Sequence, residues 1–86
     1  LKLKGIEIID CLALEVDFSN SLLQKANFRG TDFERAIFRN TDLREADFRG
    51  AKNYAVSPMI NNISKAHFSL PEAMSLLYTM DIYLGE

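Results

Sequence analysis

Eighty-six residues with a net charge of −2 make one domain, and a globular core of that length is marginal. Hydrophobic residues at 48% and charged residues at 26% are ordinary for a soluble chain, and no apolar run is long enough to span a bilayer. One cysteine excludes an internal disulfide; with no signal-peptide pattern and no basic tract, the cytoplasm is the simplest compartment.

Residues 1–52 carry a five-residue period. Every fifth residue from position 3 reads Leu3, Ile8, Ala13, Phe18, Leu23, Phe28, Phe33, Phe38, Leu43 and Phe48. Two residues before each stands a mostly small one: Leu1, Ile6, Cys11, Val16, Ser21, Ala26, Thr31, Ala36, Thr41 and Ala46. A period of five fits neither 2.0 nor 3.6, so neither a flat strand nor a helix buries both columns. A chain that turns a corner every five residues does, with two inward side chains per unit. Residues twenty apart match best, as in Leu3, Leu23, Leu43 and Ile63, in Ile8, Phe28, Phe48 and Phe68, and in Ala26, Ala46 and Ala66. Four sides therefore make one coil, and coils stack about 4.8 Å apart through backbone pairing. The expected core is Leu23, Phe28, Phe33, Phe38, Leu43 and Phe48, with Ala26, Ala36 and Ala46 in the small column. Cys11 falls in that column and is expected to be buried.

The first coil departs from the rule at Leu1, Ile6 and Ala13, so an irregular coil is expected there. Because Leu1 is already in register, further coils are expected upstream. Ile9, Leu12, Leu14 and Leu22 stand at outward positions that the clear repeats fill with Arg29, Asp32, Glu34 and Asp42. Four such residues make a patch, covered by a neighbouring segment or open to a partner. In residues 26–52 the outward positions are charged with mixed sign. Asp32, Asp42 and Asp47 read mostly as solvated partners of arginines, with some bonding turn backbone.

The units Ala26-Asn27-Phe28, Thr31-Asp32-Phe33, Thr41-Asp42-Leu43 and Ala46-Asp47-Phe48 resemble the pentapeptide-repeat consensus of a small residue, Asp or Asn, and Leu or Phe. The resemblance is clear over residues 21–51 and stays in register back to Leu1. It implies an all-β solenoid, a right-handed quadrilateral parallel β-helix; the handedness comes from the resemblance alone.

Residues 53–68 break the period. Asn53 stands where a large apolar residue is due, and Pro58 with three asparagines reads as a loop leaving the coil. Tyr54, Val56, Met59 and Ile60 are too apolar for a free loop and should pack on the solenoid. Ile63 and Phe68 return to register in a last partial coil.

Residues 69–86 read as a helix and a short tail. Ser69 and Glu72 have capping-box spacing with Pro71 in the first turn, and Ala73, Leu76, Leu77, Met80 and Leu84 form an apolar stripe. The stripe suits the open end of the solenoid and, being broad, also a second copy. This ending resembles that of the quinolone-resistance group of pentapeptide-repeat proteins, the Qnr and mycobacterial MfpA type. It implies a homodimer through the C-terminal helix, with Leu76, Leu77, Met80 and Leu84 at the interface.

No nucleophile motif, phosphate loop or paired metal-ligand spacing is present, and His67 stands alone, so neither catalysis nor a cofactor is expected. Two functions fit. One is a non-catalytic scaffold that binds an unidentified protein, with Ile9, Leu12, Leu14 and Leu22 as the partner patch. The alternative, implied by the resemblance, is a DNA mimic that binds DNA gyrase and protects it from quinolones. Direct contact with nucleic acid or membrane is expected in neither. The charges favour the scaffold: residues 1–52 carry nine Lys/Arg and nine Asp/Glu, and the side with Lys2, Lys4, Lys25 and Arg44 is basic.

Overall fold

The chain climbs in steps of twenty residues. In the computed structural model, which describes residues 2–69 and Leu76, nine parallel bridges join residues exactly one coil apart, from Lys2 to Leu22 through Asp47 to His67. Four faces result. Face 1 holds residues 2–5, 21–25, 41–45 and 61–65; face 2 holds 6–10, 26–30, 46–50 and 66–69. Face 3 holds 11–15, 31–35 and 51–55; face 4 holds 16–20, 36–40 and 56–60. The ladder between coils is regular, as where Phe28 N–H donates to Asp47 O at 2.8 Å and Asp47 N–H to Ala26 O at 2.9 Å. All four faces of the first coil pair with the second, so the irregularity expected there spares the ladder and shows in its side chains and at the corner of residues 8–11.

Corners are β-turns. Ala26 N–H donates to Leu23 O at 3.1 Å, and the residue between them, Lys25, has φ of 60°. A positive φ at the third turn residue is the type II signature and favours glycine. Here Glu15, Lys25, Arg35 and Glu45 adopt it, so the ladder outweighs a local cost of about 1–2 kcal/mol at each corner.

At two corners without the turn bond, a side chain of the next coil takes its place. At the corner of residues 8–11, Thr31 Oγ1 accepts from Cys11 N–H at 3.3 Å and donates to Ile8 O. At residues 38–41, Asn61 Oδ1 accepts from Thr41 N–H at 3.0 Å while Asn61 Nδ2 donates to Phe38 O and Ser57 O, each at 3.0 Å. Buried backbone groups that miss one partner have thus found another.

Leu23, Phe28, Phe33, Leu43 and Phe48 have no exposed surface, and Phe38, Ala26, Ala36 and Ala46 are also buried. Two pairs of rings one coil apart stack, Phe18 on Phe38 at 4.9 Å and 12° and Phe48 on Phe68 at 5.3 Å and 6°, while Phe28 and Phe48 are tilted by 39°. Rings on adjacent faces meet edge to face, Phe28 and Phe33 at 87°. Both geometries suit the aromatic quadrupole.

Cys11 is exposed rather than buried. It lies in the first coil, which is stacked on one side only among the described residues, so the small column there is open; Val16 is exposed for the same reason.

The third coil turns early. Asn53 has φ of 57° and is exposed, which puts the corner two residues ahead of the period. Tyr54 then points inward, 5.4 Å from Phe48 and 5.5 Å from Phe68, and Val56 is fully buried. Met59 and Ile60, also expected to pack, are exposed instead, because the chain bulges through a turn at 58–60. Pairing resumes at Asn62 and His67.

Candidate interaction surface

The outward slot just before each central residue decides the surface. Where it holds Asp or Asn, the side chain accepts the backbone N–H two residues on. Asp17 does so to Ser19 at 2.8 Å, Asn27 to Arg29 at 3.2 Å, Asp32 to Glu34 at 3.0 Å, and Asp42, Asp47 and Asn62 likewise to Arg44, Arg49 and Ser64. The acidic residue of the repeat is therefore first a turn fastener, as expected of Asx residues, and only second a surface charge. The solvated-pair reading of Asp32, Asp42 and Asp47 is corrected to that extent.

Asp42 and Asp47 also take the guanidinium of the arginine two residues on, each with a shortest contact of 2.7 Å. Those hydrogen bonds hold both carboxyls below the usual carboxylate range. Asp17 is lowered too, first by the Ser19 hydroxyl and then by the Ser19 amide.

Three slots hold apolar residues instead: Leu12, Leu22 and Ile37, exposed by 74%, 39% and 44%. Their turns forgo the fastening carboxylate. Ile9 and Leu14, both exposed, sit at the two corners that flank Leu12, so Ile9, Leu12 and Leu14 form one apolar strip across face 3. Leu22 lies on face 1, the opposite side, and does not join it. Ile37 was missed by inspection of the first coil alone, although reading down the slot column reveals it as a third exception.

The faces differ in charge. Face 1 carries Lys2, Lys4, Lys25, Arg44 and Lys65 against Asp42 and Glu45, a balance of +3. Faces 2 and 3 each reach −1, and face 4 is balanced. Arg35 on face 3 is shared between Glu15 at 3.3 Å and Glu34 at 3.5 Å.

Of the C-terminal candidates, Ser69 and Leu76 are described. Ser69 Oγ accepts from Gly50 N–H at 3.1 Å, where the ladder elsewhere uses a carbonyl. Leu76 is helical, half-buried and packed against the solenoid core. Glu72, Leu77, Met80 and Leu84 lie outside the described residues. Among those described, no group of three or more His, Cys, Asp or Glu could hold a metal, and no helix is long and apolar enough to cross a membrane.

A family model, pentapeptide repeats, matches residues 15–51 with eight copies. Residues 15–51 belong to the pentapeptide-repeat family. The right-handed winding of the β-helix comes to this pentapeptide-repeat stretch with that match. Two solved structures are similar, both trypsin-treated variants of QnrB1, a plasmid-mediated fluoroquinolone resistance protein. One is 11% identical with a TM-score of 0.45, covering 94% of this chain and 46% of that one. The other is 12% identical with a TM-score of 0.47, covering 99% and 42%. The chain thus spans less than half the length of either. No curated protein matches it.

Proposed function

We propose that this pentapeptide-repeat chain is a non-enzymatic scaffold that binds another protein through the outward face of its coils. The observation that carries this reading is the slot column. Leu12, Leu22 and Ile37 stand where the repeat elsewhere puts a turn-fastening Asp or Asn, so the exposed apolar side chains displace a stabilising contact. Leu12, with Ile9 and Leu14 beside it, is the anchor of the partner patch.

The gyrase reading is less well supported. DNA presents about one negative charge per 1.7 Å. Residues 2–69 hold ten Lys/Arg and nine Asp/Glu, and the most strongly charged face is positive. Gyrase supercoiling with the protein titrated in, with and without a fluoroquinolone, should be unchanged; inhibition or protection at stoichiometric protein would replace the scaffold by the DNA mimic.

Affinity purification with the unmodified chain and with Leu12→Asp tests the scaffold itself. A partner retained by the first and lost by the second supports it; identical recovery removes Leu12 from the interface. We also propose pairing of two copies through Leu77, Met80 and Leu84. Leu77→Asp should convert a dimer into a folded monomer by light scattering.

A further inference from the structure

We infer that face 1 docks an extended acidic segment of a partner protein, its carboxylates received by Lys4, Lys25 and Lys65. The inference deepens the scaffold reading and rests on it. Lys4, Lys25 and Arg44 come from three successive coils and line one cleft with Gln24 and Glu45. Lys2 and Lys65 extend the positive face to either end. Coil stacking puts these cations along about 14 Å, which an extended segment of about five residues spans.

The lysines are uncommitted. Lys2, Lys4, Lys25 and Lys65 are exposed and form no ion pair among the described residues, whereas Arg35, Arg44 and Arg49 are all held by carboxylates of the solenoid itself. Cations without internal partners are available to an external one, and complementary charge speeds and orients its encounter. The chemistry favours a protein over a nucleic acid. Face 1 shows no outward aromatic side chain on which bases could stack, and Asp42 and Glu45 interrupt the track that a phosphate backbone would follow.

The test is fluorescence anisotropy of a labelled oligo-glutamate peptide at low ionic strength, with a labelled oligo-thymidine as comparison. Lys4→Glu/Lys25→Glu should weaken peptide binding about tenfold, from two reversed surface charges. The charge-matched control Arg29→Glu/Arg39→Glu, on faces 2 and 4, should weaken it by less than about threefold. Both lysine positions tolerate glutamate, since Glu45 occupies the same corner as Lys25 one coil on, also at φ of 60°, and Glu34 the equivalent of Lys4 on face 3. Circular dichroism verifies the fold, and Lys4→Gln/Lys25→Gln serves should the reversal disturb it. Equal loss from both pairs, no peptide binding, or tighter binding of oligo-thymidine would each overturn the inference. If Leu12→Asp still abolishes partner recovery in those cases, the scaffold stands without it.

Discussion

Residues 2–22 and 26–52 share one backbone and show solvent two different surfaces. Both pair coil to coil at a spacing of twenty, and both turn on residues in the left-handed region. The later stretch shows carboxylates and arginines bonded to one another and to the turns; the earlier one shows Ile9, Leu12, Leu14 and Leu22. The difference teaches that inward residues specify this coil, while the outward slot is free to vary at the cost of one turn contact. A surface so decoupled from folding is open to selection for binding.

The largest effects should fall on what the two stretches have in common. Phe28 is fully buried and meets Phe18, Phe33 and Phe48, so Phe28→Ala should cost about 3–5 kcal/mol in chemical denaturation. Leu12→Ala, at a side chain that is largely exposed, should stay within about 0.5 kcal/mol. Comparable losses at both sites would show that the apolar strip is structural cover.

The clamps come next. Asn61→Ala removes three side-chain hydrogen bonds and leaves Thr41 N–H and Phe38 O without them, which should cost about 2–3 kcal/mol. Hydrogen exchange at Thr41 should accelerate in that variant; an unchanged rate would mean that the corner closes by its own turn bond.

Smaller still is the exchange of slots. Leu12→Asp should gain the Leu14 amide and stabilise the chain by about 0.5–1 kcal/mol, while Asp47→Leu should lose a similar amount. Should Leu12→Asp destabilise instead, the slot is not the interchangeable position described above.

The smallest effect is on pH. Asp17, Asp42 and Asp47 are lowered from the ordinary value of 3.8, so their charged forms favour the folded state. That contribution is complete above the ordinary value and is lost as pH falls through the lowered ones. Acid titration of stability should therefore flatten in Asp42→Asn/Asp47→Asn, modestly, because both sites lie at the surface.

Much of the architecture was legible in the residues. A five-residue alternation of large and small side chains allows hardly any solution but a cornered coil, and the twenty-residue match counts its sides. The slot column could be read as well, once Asp and Asn are seen as turn fasteners and Leu12, Leu22 and Ile37 as exceptions. Other features were not legible. Thr31 and Ala36 look equivalent in the small column, yet Thr31 closes a corner of the previous coil. Asn61 looks like loop composition and holds a turn together.

The sequence alone determined the period, the inward columns, the excess of cations on face 1 and the place where the repeat breaks, because each depends on spacing along the chain. Only the tertiary structure decided that the coil turns early at Asn53, that Tyr54 fills the vacated interior, that Cys11 is exposed, and which cations stay unpaired. Each of those depends on what a neighbouring coil, twenty residues away, leaves covered or unsatisfied.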